Sequence, residues 1–357
     1  MSTRARSVAS LAFVASAAAA CQEIPTLPVE YETERARIGD QFDHPLCRGD
    51  LDGIDATIRA IEARTGRRRK ERIRISLYDG DDEIPCSGPF GCYFNEDDVI
   101  ATQPFALEHE LVHAVAPERY LPNKSWSEGL AEAYKGEGTR NHSVPLLNSE
   151  RSSDLNPSAA PHFIRWIAEV RGLEPMRRII AGEAIEVALG GSVSDLAAEY
   201  EAEAPFAYPD WEACPYPEVE QTAEGSWTEQ FNFDCDTPGS RALIGSYGAT
   251  QSRTVTLSKG RYNVLLSGNA EQLSIIGCQR EVLPTEPAPD VIDEQINYWH
   301  GSNVLNEVQF SRTAPPRLLD PNVDHTLDLE DGVYQLEVSA FVDEPFVGSL
   351  SILRVEE

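Results

Sequence analysis

The spacing of hydrophobic residues changes character once along the chain, and that change demands a fold with two differently built parts. In the first part, Leu51, Ile54, Ile58 and Ile61 recur at helical spacing, with Gly66 placed where a helix C-terminus favours glycine. Ile73, Ile75 and Leu77 then alternate with polar residues from Arg72 to Tyr78, the period of a strand with one buried face, and Phe94 to Thr102 reads as a second strand. Phe105 to Ala116 is apolar at helical spacing and is stopped by Pro117. Further helices are expected over Trp126 to Tyr134, Pro161 to Arg178 and Val193 to Glu203.

After Cys214 the chain is rich in Thr, Ser, Val, Tyr and Gly in short alternating stretches, as in an all-β sandwich. The expected class is therefore α+β: a mainly helical domain with a small sheet over 46–212, then a jelly-roll-like β-sandwich over 213–357. Inside the β part, Leu257-Ser-Lys-Gly260-Arg-Tyr262 is echoed by Leu329-Glu-Asp-Gly332-Val-Tyr334, which suggests two equivalent hairpin entries in one sandwich.

The formal net charge of -29, from 59 acidic against 30 basic residues, excludes nucleic acid as an expected partner, since phosphate backbones are bound by clustered Lys and Arg. The one basic run, Arg67 to Lys70, reads as a solvated connection between a helix and a strand. Arg4 and Arg6, the apolar run from Val8 to Val14 and the small residues from Ala15 to Ala20 form an export signal over 1–20, too short to span a bilayer. Cys21 follows Ala18-Ala-Ala20 as in a bacterial lipobox, although Ala18 stands where Leu is usual, so lipidation of Cys21 and ordinary cleavage after Ala20 both stay open. Residues 21–45 would serve as a tether, and a lipid on Cys21 would be the chain's contact with a membrane. The expected location is the cell surface or outer membrane, or otherwise the periplasm or medium. Export permits disulfides among the remaining six cysteines. The first expected pairs are Cys86 with Cys92, across a short loop containing Gly88, Pro89 and Gly91, and Cys235 with Cys278.

The chemistry concentrates in His109-Glu110-Leu-Val-His113, an HExxH pattern inside an expected helix. Histidines four residues apart project from one helical face, so both can bind a single Zn²⁺ while Glu110 reaches metal-activated water as general base. Zinc needs a third protein ligand, and Glu128 on the next helix could supply it. Ser125-x-x-Glu128 also fits a capping box, which leaves two readings of that carboxylate. The small Gly129 and Ala131 would let the two helices approach. Glu132, one turn after Glu128, could hold a ligand histidine by its remote ring nitrogen. Tyr134 and His142 are candidate oxyanion donors by position alone. Asp50, Asp52 and Asp55 fit no EF-hand loop and read as helix-capping and turn residues.

His109-Glu-Leu-Val-His113 followed by Trp126-Ser-Glu128-Gly-Leu-Ala-Glu132-Ala-Tyr134 resembles the gluzincin clan of zinc peptidases, which includes thermolysin and the aminopeptidase N type enzymes. Similarity to small bacterial members extends through Phe163 to Trp166, Gly172 to Ile179 and Ser192 to Tyr200, about half the chain. The resemblance implies one zinc ion on His109, His113 and Glu128, Glu110 as base, Glu132 as supporting acid, and a peptide or protein substrate paired along a strand beside the cleft. Two departures stand out. Only fourteen residues separate His113 from Glu128, and no Gly-rich motif for binding a substrate N-terminus is present, which points to an endopeptidase or an unfamiliar specificity. The alternative is a surface lipoprotein whose sandwich binds carbohydrate or protein, with a vestigial metal site or one serving a non-peptide hydrolysis. The sequence does not give an oligomeric state.

Overall fold

A computed structural model describes residues 26–80, 84–86, 90–134, 159–206, 208, 216–242, 249–278, 317–340 and 346–355. The signal segment and Cys21 lie outside the described residues, as does His142. The first part comprises β1 (Tyr31–Glu32), β2 (Ala36–Asp40), α1 (Arg48–Thr65), β3 (Ile73–Leu77), β4 (Gly91–Phe94), β5 (Val99–Thr102), α2 (Leu107–Val115), α3 (Lys124–Tyr134), α4 (Ala159–Val170), α5 (Leu173–Ile180), α6 (Ile185–Leu189) and α7 (Val193–Glu203). The chain is thus α+β, as the hydrophobic periods required.

Its sheet has the order β1-β2-β3-β5-β4, with β2, β3 and β5 parallel and β1 and β4 antiparallel at the edges. Ile38, Ile75 and Ile100 stand in register across the three inner strands and are fully buried. Together with Ile54, Ile58 and Ile61 of α1 and Leu111 and Val112 of α2 they belong to one core. That core fixes α2 on the sheet and so sets the position of the HExxH residues.

Three sequence expectations change. Residues 31–40 are not tether: β2 is an inner strand with Ala36 and Ile38 fully buried, and its Gly39 and Asp40, residues uncommon in strands, hide the alternation in the sequence. The single strand expected from Phe94 to Thr102 is a hairpin, β4 and β5, turned at Asp98 with φ 57°. The long helix expected to Arg178 breaks at Gly172, whose φ of 82° is left-handed and admits little besides glycine, giving separate α4 and α5.

The second part contains β6 (Gln221–Ala223), β7 (Ser226–Asn232), β8 (Ser240–Arg241), β9 (Ala249–Leu257), β10 (Gly260–Gly268), β11 (Gln272–Gly277), β12 (Arg317–Leu319), β13 (His325–Leu329), β14 (Gly332–Ala340) and β15 (Val347–Arg354). They form two antiparallel sheets, β13-β10-β15-β7-β6 and β12-β11-β14-β9-β8, around a shared apolar core that includes Phe231, Tyr262, Leu336 and Val338. The echoed turns are equivalent, but they are corners between sheets rather than hairpins: β9 and β10 lie in opposite sheets, as do β13 and β14. At each corner the tyrosine hydroxyl donates to the carbonyl four residues back, Tyr262 to Ser258 at 2.6 Å and Tyr334 to Glu330 at 3.0 Å.

The two parts are clasped at the start of α1. Cys235 is bonded to Cys47, not to Cys278 as expected; Cys278 is disulfide-bonded to a different cysteine, and Cys86 is bonded to Cys92. Sequence cannot choose among the pairings of six cysteines, and this bridge spans 188 residues. Beside it, the buried Asp50 accepts from the backbone of Cys47 and of Ala242, both at 3.0 Å, and faces the Arg241 guanidinium at 3.8 Å. Asp55 likewise accepts from Thr33 and from the backbone of Glu34 and Arg35, while Asp52 pairs with Arg48, so these acids are engaged by protein groups. Replacing Asp50 by Ala would strand the Arg241 charge and two N–H groups, at a cost of about 3 kcal/mol. Urea unfolding of Asp50→Ala should show a loss of that size, and an unchanged midpoint would refute the role of the clasp.

Candidate metal centre

The HExxH helix has two faces with different duties. Leu107, Leu111, Val112, Ala114 and Val115 are buried in the core, while His109 and His113, only partly covered, face α3. Helix α3 starts after Asn123, whose side-chain oxygen accepts from the backbone of Trp126 at 3.2 Å. That is an N-cap contact, made two residues before Ser125, which is buried within the helix. Glu128 instead points to the histidines. Gly129 serves a different approach from the one expected: a Cβ there would stand 2.8 Å from Ile164 and 2.9 Å from Ala160, so it lets α4, rather than α2, lie close to α3.

Three donor atoms converge between the helices. Nε2 of His113 lies 3.0 Å from Nε2 of His109, and Oε2 of Glu128 lies 3.3 Å from His109 Nε2 and 3.6 Å from His113 Nε2. In a tetrahedral site with bonds of about 2.0–2.1 Å, neighbouring donors stand about 3.3 Å apart. Nδ1 of His109 is 2.7 Å from Oε1 of Glu132, a carboxylate that can only accept, so Nδ1 carries a hydrogen and Nε2 is the nitrogen that can present a lone pair once it gives up its own proton. Nδ1 of His113 is 3.1 Å from Oγ of the buried Ser127. Two ring nitrogens and a carboxylate oxygen gathered this closely require a shared positive charge. His109, His113 and Glu128 therefore form a group able to hold a metal ion.

The electrostatics agree. Burial opposes protonation of His109, but hydrogen bonds with Glu128 and Glu132 outweigh it and push the imidazole up to about 10. Burial would raise the Glu128 carboxyl, yet the hydrogen bonds to both histidines hold it well below the usual carboxylate range. Glu110, 6% exposed, is raised mainly by burial and partly opposed by the two imidazoles. It lies under the first residue of the edge strand β4: a Cβ on Gly91 would come within 3.2 Å of its Cγ and within 2.4 Å of Thr102 Oγ1.

Ser127 and Gly91 escaped the sequence reading. Ser127 adjoins the third ligand, but the capping pattern drew attention to Ser125; Gly91 carried no local signal, because only the fold brings β4 over Glu110. Tyr134 does not join the group. Six residues beyond Glu128 it points elsewhere, into the core, with the Arg64 guanidinium 5.5 Å from its ring centre.

No family model and no curated protein matches this chain. Among solved structures it is similar to a beta-galacturonidase from Eisenbergiella tayi at 14% identity and TM-score 0.18, over 42% of this chain and 26% of that one, so it spans about a quarter of that enzyme. It is also similar to a carbohydrate binding module of a Cellvibrio mixtus lichenase in complex with cellotriose, at 12% identity and TM-score 0.17 over 41% of this chain and all of that one. A third is the hydroxypropylphosphonic acid epoxidase of S. wedmorenis, at 9% identity and TM-score 0.15, over 54% of this chain and 94% of that one. Overlaps this loose carry no functional argument.

A metal ion must displace the proton that His109 holds. In the metal-free protein that proton is retained from the ordinary histidine value of 6.5 up to about 10, so affinity should rise by up to about tenfold per pH unit between pH 7 and 9. Glu132→Ala should weaken binding about 10- to 100-fold at fixed pH, because His109 loses its anchor. Competition with a chromophoric chelator measures both; affinity indifferent to pH or to Glu132 would contradict the site.

Proposed function

We propose that the chain is an exported zinc-dependent peptidase. The single observation that carries this reading is the triangle of His109, His113 and Glu128 donors, with the buried Glu110 close enough to feel the charge of both histidines. Nitrogen and carboxylate donors at these separations suit zinc, and at such a site the ion would acidify water and polarise a carbonyl. The protein's own groups account for the remainder. Glu110, its proton affinity raised by burial, takes a proton from the attacking water and returns it to the departing amine. Glu132 and Ser127 keep the imidazoles turned towards Glu128.

The route of the substrate follows from β4. This strand is at the sheet edge, pairs on one side with β5, and begins over Glu110. An extended peptide can add to such an edge through backbone hydrogen bonds. At the start of that strand Phe90 and Phe105 are exposed, 46% and 56%, and meet edge to face at 5.0 Å. Phe105 lies four residues before His109, in the 3-10 turn that leads into α2. Two large exposed aromatics, one at the entry to β4 and one in the turn leading into the helix of His109, favour a peptide with a bulky apolar side chain near the scissile bond. Disulfides, including the bridge between Cys47 and Cys235, fit an oxidising compartment, and among the described residues no helix is long and apolar enough to cross a membrane.

The decisive comparison uses a peptide library and two variants. Glu110→Gln should bind one zinc ion as tightly as wild type while kcat falls by at least about 10³-fold; cleavage at the wild-type rate would sink the proposal. Phe105→Ser should raise KM about tenfold for peptides with Phe or Leu near the cleaved bond and leave peptides with small residues there little changed. An equal effect on both sets would remove Phe105 from substrate recognition.

A further inference from the structure

The basic run from Arg67 to Lys70 turns out to be more than a solvated connection. It lines an open cavity of about 410 Å³, to which Arg119 and Tyr120 from the segment linking α2 to α3 also contribute. Five cations thus surround one cavity in a chain of net charge -29, and Glu71 is the one acid in the lining. Gathering like charges around a concavity costs free energy unless an anion compensates them.

Two of the cations are fixed as part of the frame. Arg67 donates to the carbonyl of Ile180 at 2.9 Å and lies 3.8 Å over the Tyr120 ring, which Arg119 approaches at 4.9 Å. Arg69 donates to the carbonyl of Ala114 at 2.9 Å and is paired with Asp98. Arg68 and Lys70, by contrast, are exposed and form no ion pair among the described residues. Val115 and Pro117 add an apolar wall beside the charges.

We propose that this cavity binds a phosphate monoester. The dianion answers the unpaired charge of Arg68 and Lys70, and guanidinium groups match phosphate oxygens in geometry. The volume exceeds what a lone phosphate fills and falls within the range of small-molecule sites, so the wall of Val115 and Pro117 takes the organic body of the ester. None of the metal donors lines this cavity, and binding there does not depend on peptidase activity.

Titration calorimetry on the full chain tests this, with phenyl phosphate and inorganic phosphate as probes and chloride at matched ionic strength as blank. Wild type should bind phenyl phosphate saturably with Kd below about 1 mM, more tightly than inorganic phosphate. Arg68→Ser with Lys70→Ser, which leaves the framing Arg67 and Arg69 in place, should weaken binding about tenfold or more. Arg72→Ser should not, because Arg72 pairs with Glu32 outside the cavity. Binding should also survive in His113→Ala. No saturable binding, equal affinity in the double variant, or binding lost with His113 would each overturn the proposal. Vesicles of phosphatidylcholine with and without phosphatidic acid then separate two sources of the same group: sedimentation with phosphatidic acid assigns a lipid headgroup, and its absence alongside phenyl phosphate binding assigns a soluble ester.

Discussion

Three electron-rich atoms from two helices stand 3.0 to 3.6 Å apart, and this crowding governs the helical part of the molecule. Either the proton held by His109 or a metal ion in its place must offset the repulsion among them, and their placement is imposed from outside. It is imposed by packing. Helix α2 is anchored by five buried apolar residues, and α3 is held against α4 through the missing side chain of Gly129. A Cβ at that position would push α3 away by several tenths of an ångström, a displacement comparable to the tolerance of a metal site.

Around the three donors the protein places groups that set orientation and charge. Glu132 fixes the tautomer of His109, Ser127 contacts Nδ1 of His113, and burial raises the proton affinity of Glu110. Burial alone would penalise Glu128, and it is the two histidines that keep it ionised. The same low-dielectric surroundings therefore push two carboxyls in opposite directions, one towards holding a proton and one towards holding a cation. That division would serve the proposed hydrolysis, which needs a base separate from the ligands.

Much of this was legible in the sequence because it is local. The i, i+4 spacing of His109 and His113, and of Glu128 and Glu132, places each pair on one helical face without knowledge of the fold. The helical period of α1 and the alternation of β3 announced a mixed domain, and the Tyr262 and Tyr334 corners were visible as a repeat. What escaped depends on contacts between distant segments. Strand β2 ends in Gly39 and Asp40 and is recognisable as a strand only once it pairs with β3, the partner of Cys47 lies 188 residues away, and Gly91 matters only because the sheet carries β4 over Glu110. Arg68 and Lys70 are exposed, as a solvated connection would be, but that Arg119 from another segment lies against the same run is visible only in the fold.

The claim at the centre of the account is that His109, His113 and Glu128 share one ion. A crystal of the zinc-loaded protein, with diffraction recorded just above and below the zinc absorption edge, tests it most directly. The account predicts a single strong anomalous peak between α2 and α3, with two nitrogen ligands and one carboxylate oxygen at about 2.0–2.2 Å. A peak elsewhere on the protein, or none between these helices at full zinc occupancy in solution, would contradict it.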